Sequence, residues 1–240
     1  MNVKQKILLN MKELFEKGPI NIVILGDSVS HGAINGYQDY ENVYHNKLRQ
    51  KLNAFRDYMP VNIINASIGG TCALDGLQRL ETQVLNHNPD LVIVCFGLND
   101  VNGELEVYLD SLKQIFEKCI RADADVIFMT PNMLNTYVPD DTPKEHYEYA
   151  HITAEYQNSG KMDKYIYSAI DMAKNMDVTV CDCYGEWKEL SKTKDTTMLL
   201  ANRINHPTPE MHTLFADKLY ETIMGETENH TLSDSTMFKG

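Results

Sequence analysis

At 240 residues, with 43% hydrophobic side chains and a formal charge of −12, the chain has the length and apolar content for one α/β domain with a sizeable core. The acidic balance excludes a phosphate backbone as partner, because nucleic-acid binding needs a footprint of lysine and arginine that is missing here. No run of about 18 apolar residues is present to insert into a membrane, and the opening Met1-Asn-Val-Lys-Gln-Lys-Ile-Leu-Leu-Asn10 turns polar too early for a secretory signal, so a cytoplasmic location is expected.

Residues 3 to 17 carry apolar side chains at helical spacing and stop at Gly18-Pro19, which predicts one amphipathic lead-in helix. The run Ile20-Asn-Ile-Val-Ile-Leu25 reads as a buried strand ending at Gly26-Asp27-Ser28. After a glycine-containing loop, helical spacing returns over 41 to 52, followed by a strand at 61 to 65 and a helix near 73 to 86. A third strand spans 90 to 96, a helix 104 to 121, and a fourth strand 125 to 130. Residues 139 to 160 form a polar and aromatic stretch without a clear period. A helix over 161 to 176, a fifth strand over 178 to 182 and a closing helix over 208 to 224 complete the pattern. With no repeat, low-complexity segment or dividing linker, residues 1 to 225 are expected to form a single domain, with 226 to 240 as a polar C-terminal tail.

Strands alternating with helices imply a parallel sheet covered on both faces. For five strands the expected arrangement is a flavodoxin-like three-layer α/β/α fold of order 2-1-3-4-5, whose ligand crevice opens where the order reverses, outside the carboxyl ends of strands one and three. Ser28 follows the first of these strands and Asn99 the third, so the topology sets them on either side of the crevice. Gly70, after the second strand, joins them.

A serine hydroxyl is a weak nucleophile unless a base takes its proton and donors hold the charge that develops on the attacked carbonyl oxygen. Residue blocks suited to those tasks recur at strand ends: Gly26-Asp27-Ser28, Ala66-Ser67-Ile68-Gly69-Gly70, Gly97-Leu98-Asn99-Asp100 and, near the C-terminus, Asn202-Arg203-Ile204-Asn205-His206-Pro207. In this order and across most of the chain they resemble the SGNH hydrolases, or GDSL esterase/lipase family. The four naming residues fall on Ser28, Gly70, Asn99 and His206. The resemblance implies Ser28 as nucleophile, His206 as base, and an oxyanion site built from the Ser28 and Gly70 N–H groups and the Asn99 side chain. Ser67 replaces a glycine of the second block, and Gly26-Asp-Ser-Val-Ser30 lacks the final glycine of the G-x-S-x-G elbow, which argues against the α/β-hydrolase architecture.

Each residue has an ordinary structural reading as well. Ser28 and Asn99 suit turns or caps, and Gly69-Gly70 suits a tight turn. His31 and His212 compete with His206; the position before Pro207, ahead of the last predicted helix, favours His206. Asp27 beside the serine is read as structural. Tyr37, Tyr40, Asn132 and Tyr137 lie on loops that could wall the crevice. The block resembled here has an aspartate three residues before its histidine, whereas this chain has Arg203, which cannot accept an imidazole N–H. Two readings follow: a Ser28–His206 dyad whose histidine is oriented by a backbone carbonyl or by Asn202, or an acid recruited from elsewhere, Asp195 being the nearest upstream.

The expected activity is hydrolysis of a small carboxylic ester, short-chain or O-acetyl and including those on carbohydrate, through an acyl-enzyme on Ser28, with no metal or organic cofactor. The alternative is a non-catalytic protein that binds a small ligand in the same crevice. A phosphate-binding loop is disfavoured, since only Gly26 and Gly32 occur there and no P-loop lysine follows. Cys72, Cys95, Cys119, Cys181 and Cys183 form no C-x-x-C pair and are expected as reduced thiols, with Cys181 and Cys183 on one face of the fifth strand. No nucleic acid and no membrane insertion is expected, and a homo-oligomer is left open.

Overall fold

The computed structural model describes residues 1–225; the tail expected over 226–240 lies outside the described residues. The chain opens with two short helices, α1 (Val3–Ile7) and α2 (Met11–Lys17), where one was expected. The division has a local cause. Asn10 accepts the Glu13 N–H while the Glu13 carboxylate accepts the Asn10 N–H, a capping box that starts a new helix.

Strand β1 (Ile20–Gly26) runs into a one-turn helix α3 (Ser28–His31), then α4 (Tyr44–Asn53), β2 (Val61–Asn65) and α5 (Ala73–Gln83). Next come β3 (Leu91–Cys95), α6 (Leu105–Arg121) and β4 (Asp125–Met129). The stretch read as irregular contains α7 (Tyr147–Asn158), which leads through a tight turn into α8 (Lys161–Asn175). Strand β5 (Thr179–Cys181), α9 (Cys183–Leu190) and α10 (His212–Met224) follow.

All pairings are parallel and the order is β2-β1-β3-β4-β5. Helices α4 and α10 pack together on one face of the sheet, while α5, α6 and α8 cover the other. The central strands are apolar because both of their faces are covered: every residue of β3 is buried, and so are Ile22 to Gly26 of β1. The edge strand β2 is only half-buried, with Asn62 and Asn65 exposed on opposite faces.

Three sequence expectations change at the edges of these elements. Helix α7 buries Ala150, Thr153, Ala154 and Gln157, a face of small and polar side chains that gives almost no hydropathy signal. Helix α9 begins directly after β5 because the Asp182 side chain caps it by accepting the Gly185 N–H. Cys183 therefore stands in the first turn of a helix, not on the strand, and its sulfur lies 3.7 Å from that of Cys181 with both thiols free. No helix among the described residues is long and apolar enough to cross a membrane.

Candidate active site

The carboxyl ends of β1, β2 and β3 deliver three loops to one cleft of about 370 Å³, and the loop before α10 closes it. A larger hollow of about 550 Å³ lies at the opposite end of the strands around Asp125 and Thr179 and contains none of the candidate residues.

Ser28 is set by a sharp corner at the end of β1. Asp27 caps α3, its Oδ1 accepting the Val29 N–H at 3.0 Å, so that Ser28 occupies the first helical position. A glycine is required just before this corner. A Cβ at Gly26 would lie 2.5 Å from Ser30 Oγ and 2.9 Å from the Cys95 carbonyl oxygen, and Ser30 is itself held by the Tyr44 hydroxyl at 2.8 Å.

His206 comes from a loop ahead of α10. That helix begins at His212, later than the sequence suggested, so His206-Pro207 lies in irregular backbone. The loop is organised by Asn202, whose Oδ1 accepts the N–H groups of Ile204, Asn205 and His206 at 3.1, 3.0 and 2.9 Å. From behind, Asn132 at the end of β4 donates to the Asn205 carbonyl at 2.9 Å.

His206 Nε2 lies 2.9 Å from Ser28 Oγ, and His206 Nδ1 lies 2.9 Å from the carbonyl oxygen of Ile34. A carbonyl can only accept, so Nδ1 carries the proton and Nε2 presents its lone pair to the serine hydroxyl. The Ile34 carbonyl is itself fixed by a tight turn, in which the Ile34 N–H donates to the Tyr37 carbonyl across Asn35 and Gly36. Burial lowers the His206 pKa below the ordinary histidine value; the Ile34 hydrogen bond opposes this in part, and nearby His146 adds to it.

Three residues with a hydrogen-bond donor to spare line the same cleft. Among the described residues, neither the Ser28 N–H nor the Gly70 N–H has a hydrogen-bond partner. Gly70 holds a φ of +78°, a conformation that favours glycine. The Asn99 amide spends one hydrogen on the Thr71 carbonyl at 3.0 Å, leaving the other for the cleft. Asp100 ties the two loops together, its carboxylate accepting the Ala73 N–H at 2.8 Å and the Gly97 N–H at 2.9 Å.

Two buried carboxyls lie directly beneath this constellation. Burial pushes the Asp27 pKa up to about 7 and that of Asp100 up to about 6, and their mutual repulsion adds to the rise at Asp27. Asp27 Oδ2 has no hydrogen-bond partner among the described residues, in keeping with a carboxyl that keeps its proton readily.

Several other candidates stand apart from the serine. Asp195 binds the Tyr137 hydroxyl and the Thr197 N–H, and Asn202 bonds to loop backbone and to Asn205 Oδ1, so neither is hydrogen-bonded to the His206 ring. Arg203 points away, its guanidinium paired with Asp141 at 2.8 Å and donating to the Leu200 carbonyl at 2.8 Å. His212 is buried against Tyr44, whose N–H donates to its Nδ1 at 3.2 Å, and burial lowers its pKa to about 3. His31 lies 3.4 Å from the Tyr40 hydroxyl. Tyr37, Tyr40, Asn132 and Tyr137 are not part of the cleft lining, which instead takes Asn35, His146 and Tyr149. The last two belong to the segment around α7, and the sequence signal that could have exposed them is the His146-x-x-Tyr149 spacing on one helical face.

This combination of a doubly covered parallel sheet, a serine at the end of β1 and a histidine from the last loop defines an α/β protein with a Ser–His pair in the crevice at the carboxyl ends of its strands. The sequence matches the GDSL-like Lipase/Acylhydrolase family over residues 24–214, and the chain belongs to that family of carboxylic ester hydrolases. It is 26% identical over 218 residues to the uncharacterized lipoprotein YqeF of Bacillus subtilis (strain 168), covering 81% of this chain and 85% of that one. Among solved structures, the fold is similar to that of Axe2, an acetylxylan esterase from Geobacillus stearothermophilus, at 20% identity and TM-score 0.67, covering 85% of this chain and 94% of Axe2. A lipase/acylhydrolase from Enterococcus faecalis is equally similar, at 21% identity and TM-score 0.67 over 86% of this chain and 96% of that one.

Proposed function

We propose that the protein is a serine esterase in which Ser28 forms an acyl-enzyme with short-chain or O-acetyl esters, including those on carbohydrate. Ser28 Oγ attacks the ester carbonyl carbon as its proton passes to His206 Nε2, and the carbonyl π electrons move onto oxygen. The resulting oxyanion is met by the Ser28 and Gly70 N–H groups and the free hydrogen of the Asn99 amide. Collapse of the tetrahedral intermediate breaks the bond to the alcohol oxygen, which takes the proton from His206. Water then enters, gives a proton to His206 and attacks the acyl carbon, and the acid leaves as Ser28 regains its proton.

The observation that carries this reading is the His206 imidazole, bonded through one nitrogen to Ser28 and through the other to the Ile34 carbonyl. The carbonyl fixes the tautomer, which is one of the two tasks of the aspartate in a Ser-His-Asp triad. The second task, stabilising the imidazolium by charge, falls here to a dipole. Serine-to-alanine and histidine-to-alanine variants of Axe2 are described as catalytic mutants, which supports a serine and a histidine as the pair that acts here. The test is turnover of a panel of esters, from p-nitrophenyl acetate to long acyl chains and acetylated sugars, by the wild type and Ser28→Ala. Loss of turnover in the variant is expected, and wild-type turnover in Ser28→Ala overturns the assignment.

The replacement of the usual acid by Arg203, turned toward Asp141, favours a second reading: a binding protein that keeps the crevice without turnover. Titration with a fluorophosphonate separates the two, since an esterase is labelled at Ser28 and a binding protein is not. Cytoplasmic action is the part of the proposal that rests on sequence alone, and cell fractionation tests it.

A further inference from the structure

The cleft has one wall with no role in the chemistry described so far. His146, at the start of α7, and Tyr149, within it, stand three residues apart on one helical face, and both line the cleft with Ser28, Asn99 and His206. Both keep unused hydrogen-bonding capacity among the described residues. The His146 ring makes no hydrogen bond among the described residues. The Tyr149 hydroxyl accepts from Asn102 Nδ2 at 3.0 Å, and its own hydrogen has no acceptor among those residues.

The position of that hydroxyl is tied to the oxyanion site. Asn102 Nδ2 donates both to Tyr149 and to the carbonyl oxygen of Asn99, each at 3.0 Å, so a single amide registers the phenol against the loop that carries the Asn99 side chain. Because the phenol oxygen is already accepting, the O–H is directed to donate elsewhere, and half-burial keeps its proton in place by raising the Tyr149 pKa. At the other end of the wall, His146 is close enough to His206 to depress its pKa electrostatically. In the proposed mechanism His206 hands a proton to the departing alcohol, and this wall lines the same cleft as His206.

We propose that His146 and Tyr149 form the alcohol-side subsite and select esters whose alcohol carries further oxygen atoms, such as polyol or sugar acetates, over esters of plain alkanols. This deepens the serine-esterase reading and rests on it. Tyr149 donates to an oxygen of the alcohol, while the imidazole of His146 donates to or accepts from a neighbouring hydroxyl. An alkyl chain in the same place leaves the half-buried Tyr149 O–H without a partner, the arrangement by which polar sites reject apolar analogues, and forgoes the hydrogen bond that the exposed His146 ring offers an oxygenated alcohol.

The test compares kcat/KM for glycerol 1-monoacetate and n-butyl acetate, followed by acetate release and normalised to the alkaline hydrolysis rate of each ester. The wild type is expected to prefer the glycerol ester by about tenfold or more, with Tyr149→Phe and His146→Ala each cutting that preference by roughly five- to tenfold, the worth of one hydrogen bond. The change should fall mainly on KM. Should Tyr149→Phe fail to fold, His146→Ala decides, because His146 is exposed. An absent preference in the wild type, or a preference kept in the variants, overturns the subsite while leaving ester hydrolysis standing. Hydrolysis of neither ester, together with no fluorophosphonate labelling of Ser28, overturns the esterase reading itself and the subsite with it.

Discussion

His206 donates from Nδ1 to the carbonyl oxygen of Ile34 at 2.9 Å, so a main-chain acceptor occupies the position that a carboxylate takes in a Ser-His-Asp triad. A dipole holds the ring in the correct tautomer but adds little attraction for a second proton, and burial disfavours that proton further. In the proposed mechanism His206 serves as base only when neutral. The acid limb of kcat/KM is therefore expected to titrate below the ordinary histidine value of about 6.5, with activity lost as pH falls through it. A pH–rate profile on a short-chain ester checks this, and a limb at or above that value contradicts it.

Asn99 is held by Thr71 through one amide hydrogen and has the other free toward the cleft. Substituting Asn99→Ala is expected to lower kcat by about 10²- to 10³-fold, the usual effect of deleting one oxyanion donor, with a smaller change in KM. Steady-state kinetics on the same ester measures both. A kcat close to wild type removes Asn99 from the oxyanion site.

The triple acceptance by Asn202 Oδ1 is what shapes the His206 loop. Asn202→Ala leaves three N–H groups in search of acceptors, and a loss of about 1–3 kcal/mol in stability with reduced turnover is expected. Asp195→Ala should keep near-wild-type turnover, since its carboxylate serves Tyr137 and the Thr197 N–H. Denaturant titration paired with kinetics distinguishes the two variants. The reverse pattern in turnover identifies Asp195 as a carboxylate that reaches the histidine in solution.

Asp27 has a folded pKa raised from 3.8 to about 7 by burial, so the native state binds its proton more tightly than the unfolded chain does. Stability from this group is complete below about pH 4 and declines as pH rises toward 7. Asp27→Asn removes that decline. Relative to the wild type, the variant is expected to gain on the order of 1–3 kcal/mol between pH 5 and pH 8, read from urea unfolding at the two pH values. A difference that does not change with pH shows that Asp27 does not titrate over this range.

Much of this architecture was legible because the central strands are covered on both faces. The uninterrupted apolar runs of β1 and β3 announce buried parallel strands, and each ends where a polar group must emerge, at Ser28 and Asn99. Helix α7 escaped notice for the opposite reason: its buried face of Ala150, Thr153, Ala154 and Gln157 is held by side-chain hydrogen bonds, Thr153 to Asn135 and Gln157 to Tyr184, which no hydropathy period reveals. With α7 went His146 and Tyr149. The acceptor at His206 Nδ1 was equally hidden, because a backbone carbonyl belongs to any residue type, and only the fold brings that of Ile34 into range.

The serine and histidine that meet in the cleft are 178 positions apart in the chain. A nascent polypeptide still missing its last fifth contains all five strand segments and Ser28 but lacks His206. In the proposed mechanism hydrolytic competence waits for the segment around Asn202 to dock, so the appearance of activity during synthesis or refolding is expected to report that closure and not the formation of the strands.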